Sequence, residues 1–209
     1  MSLVKNTDFD SLKNFYTDSS YLYIVERKEP KESRAFFRKL LKEQFNIHIV
    51  VNKKAIKKEI KKSLDKIILK DNLNYNFYDF WLDDVEKIIK VFMGVTKENY
   101  VSFCLESSRG CKRYHIDNVP IRLLVTYFGK GTEWLPANAC NYLAYYKGQG
   151  NEKIIKNKNE IKNLGTWDIG IFKGQKFKNE KKGVLHRTPK QALSGESLLM
   201  RLDTAQAYE

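Results

Sequence analysis

The stretch HIDNVPIRLLVTY, residues 115–127, decides the fold class of this chain. Its last seven residues are mostly β-branched or apolar, which predicts a strand over 121–127. Pro120 separates this strand from a shorter β-like segment over 113–117, because proline cannot donate a hydrogen bond to a sheet. The stretch therefore predicts two successive strands with a sharp break between them.

The second half of the chain continues with short β runs between glycine-containing and polar turns. Beyond Thr96 we predict strands over 100–106, 113–117, 121–127, 166–172, 183–187 and 197–203. The lysine- and asparagine-rich segment from Lys147 to Asn163 lies between two of these strands and has few apolar residues. It is predicted to be a mobile loop and a candidate lid.

The first 95 residues are predicted to be mainly helical. Helices are expected from Glu32 to Phe45 and from Tyr78 to Met93, with Gly94 as a stop, and short strands over 21–25 and 47–51. A chain of 209 residues suffices for one domain with a substantial core. We therefore predict an α+β fold in a single domain over 1–209. A double-stranded β-helix (a jelly-roll or cupin-like barrel) over 96–209 is expected to pack on an N-terminal helical layer over 1–95.

The net charge of +13 raises the question of a nucleic-acid partner. Many of the lysines lie within residues 53–70, where the isoleucines and one leucine recur at helical spacing. This pattern predicts an amphipathic helix with a solvated basic face. Nucleic-acid or anionic-surface binding is therefore disfavoured. The apolar positions are Ile56, Ile60, Leu64, Ile67 and Ile68.

The sequence also bears on the cellular location of the protein. No apolar run reaches the roughly 20 residues that span a bilayer, and the N-terminus lacks the apolar core of a signal peptide. Cys104, Cys111 and Cys140 contain no C-x-x-C pair, which suits a reducing environment and argues against a disulfide framework. We expect a cytoplasmic protein with no membrane partner, and the oligomeric state stays open.

His115, Asp117 and His186 form the pattern H-x-D…H. Residues i and i+2 of a strand point to the same side, so the first two can hold one ion while the third comes from a neighbouring strand. Two imidazoles and one carboxylate with open positions are the arrangement of non-haem Fe(II) oxygenases. Cys111 is either a further ligand or a small apolar residue at the start of a strand, whereas His48, in an apolar run, is predicted to be structural.

The segments around these residues resemble a bacterial family known as domain of unknown function 1826. The resemblance covers about residues 78–205, and GKGTEWLP at 129–136 is its most specific part, with further matches in CKRYHID at 111–117, RLLVTY at 122–127, HRTP at 186–189 and LMRLD at 199–203. More distantly, H-x-D…H-R-T-P before a final strand is similar to the prolyl-hydroxylase-like oxygenases. That similarity implies an Fe(II)- and 2-oxoglutarate-dependent dioxygenase.

The resemblance also implies a basic residue about ten positions after His186, on the last strand, that holds the far carboxylate of 2-oxoglutarate. That spacing falls on Glu196 and Ser197, which cannot do so. The candidates for this catalytic and cofactor-binding role are, in order, Arg201, Arg122 and Arg187, with Thr126 as a further cofactor contact. Glu133 and Trp134 are either a packed turn or a substrate contact.

The sequence thus predicts an Fe(II)-dependent and 2-oxoglutarate-dependent oxygenase or hydroxylase that acts on a small molecule or a protein side chain. The alternative is a non-catalytic zinc- or iron-binding protein in metal homeostasis, because two histidines and one aspartate also suit Zn(II). A third hypothesis is a basic interaction module, which salt-dependent binding to nucleic acid would reveal.

Overall fold

The computed structural model describes residues 4–42, 44–67, 74–179, 182–193 and 196–204. In this part of the chain the backbone forms two β-sheets and a set of helices. The large sheet has the strand order β1 (Val4–Asn6), β2 (Leu22–Val25), β8 (Ile169–Lys173), β5 (Ile121–Phe128), β10 (Leu198–Thr204), β4 (Tyr100–Glu106) and β3 (Asn46–Asn52). The small sheet has the order β7 (Lys162–Asn163), β6 (Glu133–Trp134) and β9 (His186–Arg187). The helices are α1 (Ser33–Leu40), α2 (Ile56–Leu64), α3 (Tyr75–Thr96), α4 (Tyr142–Tyr146), α5 (Asn151–Ile154) and α6 (Lys190–Leu193).

The centre of the large sheet consists of β8, β5, β10 and β4, which pair antiparallel. The register places Asp203 opposite Arg122 and Arg201 opposite Leu124 on neighbouring strands. Directly opposed residues share one face of a sheet, and alternate residues of a strand share it too. Arg122, Arg201 and Asp203 therefore project from the same face.

The other face of the large sheet packs against helices. The 22-residue helix α3 buries Trp81, Val85 and Phe92 among other apolar residues at helical spacing. The ring of Trp81 lies 5.1 Å from that of Phe37 and 5.7 Å from that of Tyr127, measured between centroids. This aromatic core supports the sheet from one side, and the opposite face carries the charged groups together with a second apolar cluster that includes Leu124 and Leu199.

Helix α3 extends beyond the predicted stop at Gly94. Val95 is buried, so tertiary packing favours continuing the helix to Thr96. The helix ends where Lys97 adopts the left-handed conformation, with a φ of 58°, and donates its N–H to the carbonyl of Met93. The predicted end of this helix was wrong because burial outweighs the low helix propensity of glycine.

The other two predicted helices are also present, with different ends. Helix α1 stops at Leu40 rather than Phe45, whose N–H instead bonds the Ser107 side chain at 2.7 Å. The basic amphipathic helix is confirmed as α2, with Ile56, Ile60 and Leu64 buried, while Ile68 lies outside the described residues. None of the described helices combines the length and the apolar character that a membrane span requires.

Strands β4, β5 and β10 confirm three predicted strands to within one residue, and β2 and β3 confirm the two N-terminal ones. The prediction of a strand over 113–117 was wrong, since in this segment only His115 forms an isolated bridge. The run predicted over 166–172 becomes a strand only at Ile169, because Trp167 adopts a φ of 74° in a turn. The run predicted over 183–187 shortens to β9.

The N-terminal part is less purely helical than predicted, because β1, β2 and β3 lie at the two ends of the large sheet. The observed architecture is a mixed arrangement of helices and strands. Within the part of the chain that the structure describes, the strands form two separate sheets and not a closed barrel.

The segment from Lys147 to Asn163 is not the featureless loop that its composition predicts. It contains α5, a turn of 3₁₀ helix over Lys158–Glu160 and the short strand β7. Ile154 is fully buried, and Ile155 forms a bridge with Cys140. Three isoleucines that pack in one apolar cluster, together with backbone pairing, give regular structure to a segment that its polar composition predicts to be a loop.

Candidate metal centre

The backbone itself brings the two histidines together. His115 and His186 form an antiparallel bridge in which each N–H donates to the carbonyl of the other residue at 3.0 Å. Their rings lie 4.6 Å apart between centroids. Asp117 follows two residues after His115, so one ligand atom from each of the three residues lies within 4.8 Å of the others.

Both imidazole rings are held by their Nδ1 atoms. His115 Nδ1 lies 3.0 Å from the carbonyl oxygen of Arg113, and His186 Nδ1 lies 3.0 Å from that of Val184. A carbonyl only accepts, so each Nδ1 must carry the proton. In the neutral rings Nε2 is then the lone-pair atom, which is the form that ligates a metal.

The two Nε2 atoms point towards Asp117. His115 Nε2 lies 3.4 Å from Asp117 Oδ1, and His186 Nε2 lies 3.1 Å from Oδ2. The Asp117 side chain is only 2% exposed, and its buried Oδ2 receives no hydrogen bond. In the neutral state, lone pairs of nitrogen and oxygen therefore face each other inside the protein, an arrangement that a bound cation or proton stabilises.

The charges around Asp117 keep it ionised. Burial opposes ionisation, but His186, His115 and Arg122 outweigh it and hold the pKa of Asp117 well below its usual range. The same carboxylate raises the pKa of His115 despite the burial of that ring. The donor set is thus one anionic oxygen and two imidazole nitrogens, which fits a divalent transition metal.

Arg122 supports the carboxylate from behind. It donates through Nη1 to Asp117 Oδ1, and through Nε and Nη2 to the two oxygens of Asp203 at 2.6 and 2.8 Å. Strands β5 and β10 place Arg122 and Asp203 opposite each other, so the sheet register fixes this bidentate pair. Arg122 therefore orients the Asp117 carboxylate.

Comparison with protein families gives a match over residues 6–203 to the family described as protein of unknown function, DUF1826. The chain belongs to the DUF1826 family. The family assignment from the sequence motifs is confirmed, and the match also includes the N-terminal residues that the motif-based resemblance left out. Comparison with curated proteins gives no match.

Three solved structures are similar to this DUF1826 protein. The first is a candidate oxygenase from Shewanella oneidensis, at 8% identity and a TM-score of 0.43, covering 96% of this chain and 88% of that one. The second is a prolyl-4-hydroxylase from Pseudomonas putida, at 8% identity and a TM-score of 0.35, covering 86% and 97%. The third is the epimerase SnoN in complex with Fe3+, alpha ketoglutarate and nogalamycin RO, at 10% identity and a TM-score of 0.37, covering 95% and 85%. Similarities at this level do not identify an activity, so function must be argued from the site.

A cleft in the DUF1826 protein is lined by both histidines and by all three arginines proposed from the sequence. Each of these arginines pairs with a carboxylate. Arg201 lies 3.0 Å from Glu106 and 3.4 Å from Asp203, and Arg187 lies 2.7 Å from Glu133. The face of β10 that carries Arg201 therefore lines the cleft and not the exterior.

The remaining residues singled out in the sequence lie outside the cluster of metal-ligating atoms. Thr126 is buried on the same face of β5 as Arg122 but is not among the residues that line the cleft. Glu133 accepts hydrogen bonds from Tyr114 and Arg187, and Trp134 is buried, so both residues are packed, although in strand β6 and not in the predicted turn. His48 lies away from the triad and contacts Ser102 at 2.9 Å. Cys111 is exposed at the cleft, outside the cluster of metal-ligating atoms.

Sequence reasoning missed Arg109, Glu106 and Asp203. Arg109 also lines the cleft, yet it lies in a Ser-Ser-Arg-Gly turn that carries no strand periodicity. Glu106 lies on β4 and Asp203 on β10, two strands that are far apart in the chain and become neighbours only in the sheet. Only the spatial arrangement connects them to the triad.

Proposed function

We propose that this DUF1826 protein is an Fe(II)-dependent oxygenase that uses 2-oxoglutarate as a cosubstrate, with His115, Asp117 and His186 as the metal ligands. The observation that carries the proposal is the convergence of the three ligand atoms within 4.8 Å of one another at the cleft. This donor set leaves positions open for a chelating cosubstrate. The double-stranded β-helix is part of the proposal, and two sheets that both contribute to the site support it.

The residues themselves argue for a cation at this point. The Nε2 atom of His186 faces a buried Asp117 oxygen that has no hydrogen-bond donor. A buried carboxylate oxygen without a donor is unfavourable, and a metal ion bound to it removes the penalty. When bound, Fe(II) would supply the dioxygen chemistry of the reaction.

The chain would contribute orientation and exclusion of water. The carbonyl groups of Arg113 and Val184 fix the two imidazoles in the tautomer that ligates through Nε2. Arg122 holds the Asp117 carboxylate in place and keeps it ionised. Leu124 and Leu199 give the cleft an apolar wall. Cys111 lines the same cleft and is exposed, so this part of the lining is accessible to a small molecule or a protein side chain.

A specific observation favours a second candidate function. Arg122, Arg187 and Arg201 are each paired with a carboxylate, so the positive charge of each is already compensated before 2-oxoglutarate binds. Two histidines and an aspartate also bind Zn(II). The alternative is therefore a non-catalytic zinc- or iron-binding protein with a role in metal homeostasis.

Metal analysis of protein purified under argon, followed by titration with 2-oxoglutarate, tests the proposal. We expect a single Fe(II) per chain, a visible absorption change when 2-oxoglutarate binds, and slow consumption of 2-oxoglutarate in air without substrate. Tightly held zinc together with no response to 2-oxoglutarate would instead establish the second candidate.

A further inference from the structure

Arg109 is the one arginine of the cleft that forms no ion pair within the described residues. Its side chain donates from Nη1 to the carbonyl of Lys130 at 3.1 Å and from Nη2 to Thr132 Oγ1 at 2.9 Å. Both acceptors are neutral. The buried Nε atom has no hydrogen-bond partner. Arg109 is 6% exposed, so water does not solvate most of this cation.

A buried guanidinium without an ion-pair partner is costly, and the more distant charge of Glu106 offsets this cost only in part. Burial lowers the pKa of Arg109 to about 10, so the group still carries its charge at neutral pH. The free energy of desolvating a charge is recovered only with a counter-charge and further hydrogen bonds. An unpaired buried cation at a cleft therefore indicates a ligand that supplies the anion.

The charges of the whole cleft support the same conclusion. Four arginines line it, and the carboxylates that pair with them or belong to the triad are Glu106, Asp117, Glu133 and Asp203. These four positive and four negative groups balance. A divalent metal on the triad would leave two excess positive charges, which a dianionic ligand would neutralise.

The position of Arg109 decides which cleft the anion occupies. Arg109 and Thr132 line the same cleft as His115 and His186. Arg109 also borders a second cleft, where the side chain of Glu196 would repel an anion. The cleft that contains the triad is therefore the favourable one.

We propose that Arg109, with Thr132, binds the second carboxylate of an oxo dicarboxylic acid whose oxo-acid end chelates the metal. This inference rests on the proposed metal-dependent function and names the residue that would recognise its cosubstrate. It replaces Arg201, Arg122 and Arg187 in that role, because those three already have carboxylate partners.

A matched pair of ligands tests the assignment. 2-Oxoglutarate and 2-oxopentanoate have the same carbon chain and the same chelating end, but the second ends in a methyl group. Their dissociation constants would be measured under argon on the Fe(II)-loaded parent, R109Q, R109K and R38Q. Arg38 is an exposed arginine on α1, so R38Q controls for the loss of one positive charge. Circular dichroism and the affinity for Fe(II) alone would be recorded for each protein.

We expect the parent and R38Q to bind 2-oxoglutarate at least about tenfold more tightly than 2-oxopentanoate, since a bidentate pair with a carboxylate is lost in the second ligand. R109Q should bind both ligands equally while keeping its affinity for Fe(II). R109K keeps the charge without the planar fork, and an intermediate ratio is expected. This variant also serves as the test if R109Q does not fold.

Two outcomes would overturn the assignment while leaving the metal site intact. They are Fe(II) binding with no preference between the ligands in the parent, and a preference that persists in both R109Q and R109K. A parent that does not bind Fe(II) at all would instead refute the proposed function. The two failures are therefore distinguishable.

Discussion

The two faces of strands β5 and β10 show how one sheet separates stability from chemistry. The face towards α1 and α3 carries Leu123, Val125 and Tyr127 of β5 and Met200 and Leu202 of β10, all buried in one apolar cluster. The opposite face carries Arg122, Arg201 and Asp203 in an ion network beside the metal triad. Because side chains alternate along a strand, neighbouring residues belong to different regions. Substitutions one residue apart should therefore affect different properties.

The largest expected effect lies on the helix-facing side. Trp81→Ala removes a fully buried ring that contacts Phe37 and Tyr127, and should lower the free energy of unfolding by about 3–5 kcal/mol. Urea denaturation followed by circular dichroism measures this. Phe80→Ala, at a neighbouring position that is 50% exposed, is the matched control and should cost much less. Equal losses in the two variants would show that the aromatic core is not where stability resides.

Substitutions of Asp117 and His186 should change the affinity for metal and not the free energy of unfolding. Asp117→Ala and His186→Ala should each weaken Fe(II) binding by at least about tenfold and leave the helices folded. His48→Ala is the matched control, because this histidine lies on β3 and is not part of the triad, so the affinity for metal should stay unchanged. Metal titration with an optical competitor gives the dissociation constants. Parental affinity in both ligand variants would exclude the triad.

Arg122 should have a smaller effect on the same property. Arg122→Met leaves His115, Asp117 and His186 in place. It removes the group that orients the Asp117 carboxylate and favours its ionised form, so we expect Fe(II) affinity to fall by roughly tenfold. Arg201→Met is the control, because it removes another arginine that pairs with Asp203. If the two variants bind Fe(II) equally, support of Asp117 by Arg122 does not contribute to metal binding.

The smallest effect is expected in the segment 147–163. Asn151 accepts from the N–H of Tyr114 and donates to the carbonyl of Lys112, both at 2.9 Å, so it supports the chain just before His115. Asn151→Ala should lower the free energy of unfolding by about 1 kcal/mol, measured by thermal denaturation. Lys153→Ala, on the exposed side of α5, should have no measurable effect. Identical melting curves for the three proteins would restore the loop interpretation of this segment.

The sequence predicts the strands that carry strong local patterns. The runs at 100–106, 121–127 and 197–203 are correct because apolar and β-branched residues dominate them and turn residues bound them. The prediction of a strand over 113–117 was wrong, because this segment has no continuous partner strand. Only His115 forms a backbone bridge, and the N–H of Tyr114 donates to the side chain of Asn151. Burial of Val95 extends α3 beyond Gly94, and burial of Ile154 accompanies a short helix in a segment predicted to be a loop. Composition alone does not predict either effect.

The sequence by itself determined the family, the β character of the second half and the identity of the three clustered residues, because the spacing H-x-D and a distant histidine are visible in a linear chain. Only the tertiary structure decided which arginine of the cleft has no carboxylate partner among the described residues. Arg109, Arg122, Arg187 and Arg201 look alike in sequence, and their roles depend on carboxylates that strand register brings beside three of them. Charge pairing acts through space over a few ångströms, and the order of residues along the chain does not specify it.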